Sequence, residues 1–217
     1  MHSSLNNLDY LKKYNLFIVD YDGTILDSMG MWSKLLSSFL KDEGIEFDVD
    51  IDELAKEQTN HESVKYMNEH YFKDLSFDEL ADKMYSYVRK EYVKQVLKPN
   101  ATKLLTELKK HGRVVLFSAT AIELLNDSFK TNNVNEYFDY IYSASDLGTT
   151  KTNGVGYEVI IDYENAKKEE VLVVEDVYHG IEGARFKSID TLAIYDKQKH
   201  WDDIKKISTY NLVLEEL

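Results

Sequence analysis

The chain has 217 residues, 39 Asp plus Glu against 26 Lys plus Arg, a formal net charge of -13 and 43% hydrophobic residues. That size and apolar content suit one domain of roughly 100–200 residues, or one carrying a large insertion; the acidic balance excludes a protein that wraps nucleic-acid backbone, which needs clustered Lys and Arg. There is no cysteine for disulfides, zinc or nucleophilic catalysis, no apolar run near the ~20 residues of a membrane span, and no apolar stretch in the opening MHSSLNNLDYLKKYN. A soluble, cytoplasmic protein is the expectation.

Leu16–Val19 is the first predicted element: four apolar residues that stop abruptly at Asp20, as in a strand buried on both faces of a parallel sheet. Residues 29–98 lose this pattern and show helical spacing. Trp32, Leu35, Leu36, Phe39 and Leu40 form one stripe; Leu80, Met84, Tyr87, Val88, Tyr92 and Val93 form another. The acidic stretch Glu43–Glu57 reads as a solvated loop and helix face, with a cation or partner site as the other reading. Ser76 and Glu79 are spaced as a capping box. Pro99, the lone proline, suits the first turn of a helix over Ala101–Lys110, because its φ is fixed and it has no N–H. Val114–Phe117 is the second strand, followed by a helix over Ile122–Thr131. Tyr140–Tyr142 is a less apolar third strand, followed by a helix over Gly156–Asn165. Val171–Val174, a helix over Tyr178–Phe186 and a strand at Thr191–Ile194 complete the pattern. Such alternation predicts an α/β fold with a doubly wound, mainly parallel sheet and right-handed crossovers. A helical domain over 29–98 interrupts it straight after the first strand, leaving 1–28 and 99–217 as the core.

In open α/β sheets ligands bind outside the carboxyl ends of the strands, so the residues that follow each strand carry the expected chemistry. Strand one ends in Asp20-Tyr21-Asp22-Gly23-Thr24, two carboxylates in one tight loop whose N–H groups can face an anion. In another setting the same residues would be a solvated Asp-Gly turn. Strand two ends in Ser118-Ala119-Thr120. Thr120 and Glu123 have the form of a capping box, which starts a helix just past Ser118 and presents free N–H groups to an anion. Ser118 either donates its hydroxyl to that anion or simply belongs to the helix start. Lys151 stands after strand three in a loop without apolar residues, as a solvated charge or a point charge for phosphate. Strand four ends in Glu175-Asp176, consecutive acids that repel each other unless a cation joins them. Asp20, Glu175 and Asp176 together offer an all-oxygen donor set suited to a hard ion, Mg²⁺ above others. His179, in the first turn of the next helix, reads as an exposed side chain.

With Asp-x-Asp, Ser, Lys and Glu-Asp in order at four strand ends, the sequence resembles the haloacid dehalogenase-like hydrolase superfamily, in particular its beta-phosphoglucomutase-like phosphatase branch. LFIVDYDGTILDS over Leu16–Ser28 is similar to that family's first motif, and VVLFSA over Val114–Ala119 to its second. Lys151 falls where the third motif has its lysine, and VLVVEDVYHGIEGA over Val171–Ala184 resembles the fourth. The resemblance implies a Rossmann-like core with an α-helical cap over 29–98, and a Mg²⁺-dependent phosphatase. It implies Asp20 as nucleophile, forming an aspartyl-phosphate, and Asp22 as general acid and then general base. It implies Mg²⁺ held by Asp20, the backbone carbonyl of Asp22, Glu175 and Asp176. Phosphate would rest on Ser118, Lys151 and backbone N–H groups near Tyr21, Asp22 and Ala119. Asp22 also counts against carbon–halogen cleavage. Three departures stand out. Thr152 follows Lys151 where the family usually has Pro, which predicts a less pre-set lysine loop. Val177 replaces a small residue after the acidic pair, and Phe186-Lys187-Ser188 replaces the usual Ala-Gly pair, which predicts a slightly different approach of the last helix.

Thr59-Asn60-His61-Glu62 reads either as a helix-start cap or as a break from which Asn60 and His61 reach the substrate. The expected partner is a small phosphorylated metabolite, with neither nucleic acid nor membrane, and the chain is expected as a monomer or weak dimer. A phosphosugar mutase uses the same core, and no residue separates it from a phosphatase. A phosphate- and Mg²⁺-binding regulatory module also sets acids, Ser or Thr and Lys at strand ends, but such modules are shorter and lack the helical interruption.

Overall fold

The computed structural model describes residues 8–55, 58–198 and 200–217. No helix among them is long and apolar enough to cross a membrane. In chain order, strand β1 (Leu16–Val19) is followed by helices α1 (Met29–Trp32), α2 (Leu35–Asp42), α3 (Ile51–Ala55), α4 (Asn60–His70) and α5 (Phe77–Tyr92). Then come α6 (Ala101–His111), β2 (Arg113–Ser118), α7 (Ile122–Asn132), β3 (Tyr140–Ser143) and α8 (Val155–Tyr163). The chain ends with β4 (Val171–Glu175), α9 (Tyr178–Phe186), β5 (Asp190–Ile194), α10 (Trp201–Ile207) and β6 (Tyr210–Leu212). Two compact units result: one runs up to Asp27 and resumes from Val96 to Leu217, the other is Ser28–Gln95.

The first unit is a Rossmann-like α/β fold. Its six strands pair in parallel in the order β3-β2-β1-β4-β5-β6. Every residue of β1 and β4 is buried, which is why both read as continuous apolar runs rather than alternating ones. Leu16, Ile18, Phe117 and Val173, all on one face, pack with Tyr157 and Ile160 of α8 and Ala184 of α9. Burying a side chain of this size is worth roughly 1.5–3 kcal/mol, so this face fixes both helices against the sheet. Val19 lies level with Leu116 of β2 and Val174 of β4. The strand order reverses between β1 and β4, and that switch point is where ligands bind in such sheets.

Among the described residues, α10 and β6 lie outside the predicted set. The latter has three residues with polar Asn211 at its centre, too short to register as an apolar run. Pro99 is a correction. Ala101 N–H donates to Lys98 O at 3.1 Å, and Asn100 sits at φ 58 and ψ 10. Proline in the second place and a positive-φ Asn in the third make a type II turn. Pro99 therefore precedes α6 and is no part of its first turn.

In the helical unit Leu36, Phe39, Leu40, Met67, Leu80 and Met84 build the core. Both α4 and α5 start with full capping boxes, Thr59 with Glu62 and Ser76 with Glu79. The first predicted stripe is split between α1 and α2. Ser33 donates its hydroxyl to Gly30 O at 3.2 Å, a local bond that competes with the helical ladder. Of the second stripe, Leu80, Met84 and Tyr92 are buried, and Tyr87 packs edge-on against Phe39 with ring centroids 5.2 Å apart. Residues 56 and 57 of the acidic stretch lie outside the described residues. In the rest, Glu43 pairs with Lys83 at 2.5 Å and Asp52 accepts the Ser37 N–H at 3.1 Å.

Candidate active site

The loop after β1 is closed by its own backbone. Tyr21 O accepts N–H bonds from Ile25 and Leu26 at 2.9 and 2.8 Å, and Gly23 N–H donates back to Leu26 O at 2.9 Å. Asp20 donates its N–H to Val174 O at 2.9 Å, which locks it beside the end of β4. There Glu175 Oε2 accepts the N–H groups of Asp176 and Val177 at 2.8 and 3.0 Å, just ahead of α9. Thr24 donates its hydroxyl to Asp176 Oδ1 at 2.8 Å. Asp20, Glu175 and Asp176 are all buried, and each offers an oxygen within 4.8 Å of the others.

Lys151 reaches into this cluster. Its Nζ donates to Asp20 Oδ1 and, at 2.9 Å, to Glu175 Oε1, and it lies 5.5 Å from the centre of the Phe117 ring. Burial alone would lower the Lys151 pKa, but the charges of Asp20 and Glu175 hold it well above the lysine range. Burial pushes the Asp20 carboxyl up to about 7 against the pull of Lys151. Asp176 is raised well above the carboxylate range by burial and by the charges of Glu175 and Asp20.

The lysine loop is not loose, although it lacks the proline. Gly154, at φ 73, donates its N–H to Lys151 O at 3.0 Å and precedes α8. A Cβ on Gly183 of α9 would collide with the Lys151 carbonyl, and one on Gly154 would collide with the Gly183 carbonyl. Close approach of two glycines holds this loop against α9.

Lys151→Met should destabilise the metal-free protein, because Asp20 and Glu175 would lose the cation that pairs them. Breaking a buried pair from one side costs about 3–5 kcal/mol; proton uptake by Asp20 puts the expected loss near the lower figure. Urea unfolding in EDTA measures it, and an unchanged midpoint would show that the pair adds nothing.

The loop after β2 departs from the sequence reading. Thr120 does not cap α7: the N-cap is Ala121, and no side chain bonds there. Thr120 instead donates its hydroxyl to Asp22 Oδ2 at 2.8 Å and its N–H to Ser118 Oγ at 3.1 Å. Ser118 is buried at the end of β2, and Ala119 beside it is exposed. The Tyr21 ring points away into the core, sharing a 3.0 Å hydrogen bond with Ser128, so the main chain is what Tyr21 can offer an anion. His179 is exposed. Asn60 and His61 are exposed at the first turn of α4, inside the Thr59 capping box, with the His61 ring 4.7 Å from that of Phe77. Thr24 and Thr120 were missed as partners of the acids; the one signal for Thr24 was its place directly after Asp-Gly.

The family model of haloacid dehalogenase-like hydrolases matches residues 17–194. The chain belongs to this family. A search of curated proteins finds no match. Among solved structures, this haloacid dehalogenase-like chain is similar to a Thermotoga maritima protein described as a beta-phosphoglucomutase, with TM-score 0.78, 16% identity and coverage of 93% of this chain and 95% of that one. YfnB of Bacillus subtilis, described as a HAD-hydrolase and bound to magnesium, gives 0.72 at 18% identity, covering 92% and 94%. CbbY of Rhodobacter sphaeroides in complex with phosphate gives 0.72 at 15% identity, covering 94% and 96%. At these identities the likeness is one of fold.

The acid cluster fits a hard divalent cation. Asp176 Oδ2 is buried and has no hydrogen-bond partner among the described residues, a costly state that a cation would relieve. A Cβ on Gly180 would strike the Glu175 carboxylate, so α9 leaves room for that side chain only because a glycine faces it. Lys151 pairs with two of the three carboxylates, Asp20 and Glu175, and all donors of the cluster are oxygens.

Proposed function

We propose that the protein is a Mg²⁺-dependent phosphatase that hydrolyses a small-molecule phosphomonoester through an aspartyl-phosphate on Asp20. The observation that carries this reading is the convergence of Asp20, Glu175, Asp176 and Lys151 at the β1–β4 switch point. Family membership supports a hydrolase, and the magnesium and phosphate of YfnB and CbbY support the ion and the substrate class.

Asp20 bonds to phosphorus as the bond to the leaving oxygen breaks, and Asp22 delivers a proton to that oxygen. Asp22, now a carboxylate, takes a proton from water; the water oxygen attacks phosphorus, and the Asp20–phosphorus bond breaks to release phosphate. The Ser118 hydroxyl, the Lys151 ammonium and the N–H groups of Tyr21, Asp22 and Ala119 hold the transferring oxygens. Asp20, the backbone carbonyl of Asp22, Glu175 and Asp176 would hold Mg²⁺, which when bound screens an anionic carboxylate from an anionic phosphate. The unit that runs up to Asp27 and resumes at Val96 is read as the catalytic core and Ser28–Gln95 as a cap, with Asn60 and His61 as its candidate specificity residues. The chain is read as a cytoplasmic monomer or weak dimer without nucleic-acid or membrane partners.

The Thermotoga maritima neighbour favours a second reading, a phosphosugar mutase. One assay separates the two. The protein should hydrolyse an aryl phosphate with Mg²⁺ and stop with EDTA, and a phosphometabolite panel should release inorganic phosphate. Isomerisation of β-glucose 1-phosphate in the presence of glucose 1,6-bisphosphate, without phosphate release, would move the assignment to mutase. Phosphate binding without any turnover would leave the regulatory module.

A further inference from the structure

The loop that leaves β5 was assigned no role by the motifs, yet it is tied to Asp176. Lys197 stands at φ 59, a left-handed backbone that a side-chain-bearing residue adopts only where its surroundings enforce it. The Gln198 side chain folds back beside it. Its Oε1 accepts the Asp196 N–H at 2.7 Å, while its Nε2 donates to Asp176 O at 2.7 Å and to Ile194 O at 3.2 Å. One amide thus spans the carboxyl ends of β4 and β5.

The far side of the loop is held as well. Asp196 pairs with Lys98, which is buried and also donates to Tyr195 O at 3.3 Å. Lys98 in turn donates its N–H to Ile25 O at 2.8 Å, beside Thr24, whose hydroxyl reaches Asp176 Oδ1. The contacts close a ring: Thr24 and Ile25, Lys98, Asp196, Gln198, Asp176, and back to Thr24. Its members come from four parts of the chain, and most of its bonds end on main-chain atoms. Such a ring fixes backbone, and through Asp176 it fixes a carboxylate whose second oxygen has no other partner among the described residues.

We propose that Gln198, braced by the buried Lys98–Asp196 pair, is a positioning residue for Asp176 that keeps its Oδ2 available to the divalent cation. The inference rests on the reading of Asp20, Glu175 and Asp176 as the cation site. Partners that orient metal ligands typically matter 10–100-fold in affinity, and an anchor on the main chain of the ligand residue belongs to that class. Neither Gln198 nor Lys98 touches substrate in this scheme.

The test is direct binding of Mn²⁺ alone to the full, metal-stripped chain, read as free Mn²⁺ by electron paramagnetic resonance without any substrate. Gln198→Leu and Lys98→Met should each weaken binding by about 10–100-fold, while Lys98→Arg should stay close to wild type because it keeps the charge for Asp196. The double variant Gln198→Leu/Lys98→Met should be no weaker than the worse single one, since both act through the same loop. Urea unfolding in EDTA checks the fold, and if Lys98→Met does not fold, Gln198→Leu decides alone. Wild-type affinity in Gln198→Leu, with binding lost in Asp176→Asn, would overturn the positioning role and leave the cation site standing. Undiminished binding in Asp176→Asn, or none in the wild type, would overturn the cation site itself and the inference with it.

Discussion

Asp20→Asn is expected to abolish turnover of an aryl phosphate, a loss on the order of 10⁶-fold by comparison with nucleophile removal in another hydrolase class, while the fold persists. The amide keeps the shape of the carboxyl group and can still accept a hydrogen bond from Lys151 through its oxygen, but it has no carboxylate to bond to phosphorus. Stability should not fall. Burial already works against a charge at this position, pushing the Asp20 carboxyl up to about 7, and a neutral side chain removes that penalty. Lys151 keeps a carboxylate partner in Glu175 at 2.9 Å. Urea unfolding in EDTA should therefore give a midpoint no lower than wild type, and mass spectrometry after a pulse of substrate should find no phosphoprotein. Turnover that survived the substitution would sink the proposed nucleophile.

The fold was legible where burial on both faces forces an uninterrupted apolar run, as at Leu16–Val19 and Val171–Val174. It was not legible at β6, where three residues with Asn211 in the middle pair only with β5 at the sheet edge, nor at Ser33, where a hydroxyl bonds locally and divides a stripe that looks continuous. The site divides in the same manner. Acids at strand ends are conspicuous because an unpaired charge beside a buried strand is costly. Their partners are not: Thr24 lies 152 residues from Asp176, and Thr120 lies 98 residues from Asp22. Threonine and glutamine are ordinary loop residues whose meaning depends on which distant segment folds against them. Thr120 is such a case: its spacing to Glu123 fits a cap, while its hydroxyl donates to Asp22 Oδ2 on a distant loop. Proline shows the converse: Pro99 serves a type II turn ahead of α6 rather than the first turn of the helix, and after Lys151 two glycines in close contact stand in a loop without proline.

Asp22→Asn should lower turnover by ~10²–10⁴, the range for loss of a general acid and base, and the loss should depend on the leaving group. The amide oxygen of the substituted side chain can accept the Thr120 hydroxyl as the Asp22 carboxylate does at 2.8 Å, so the loop geometry should survive and the defect should be one of proton transfer. An alkyl phosphate, whose departing oxygen must be protonated, should suffer in the first step. A nitrophenyl phosphate, whose departing oxygen is stable as an anion, should still phosphorylate Asp20. It should then stall, because the second step needs a base to take a proton from water. The expected signature is a burst of phenolate near one equivalent of enzyme, followed by slow turnover, with phosphoprotein detectable by mass. Thr120→Val removes the donor while leaving the acid, so it should reduce turnover less than Asp22→Asn and leave no stalled phosphoprotein. Equal losses for alkyl and aryl substrates in Asp22→Asn, without a burst, would mean that Asp22 holds the loop and moves no proton.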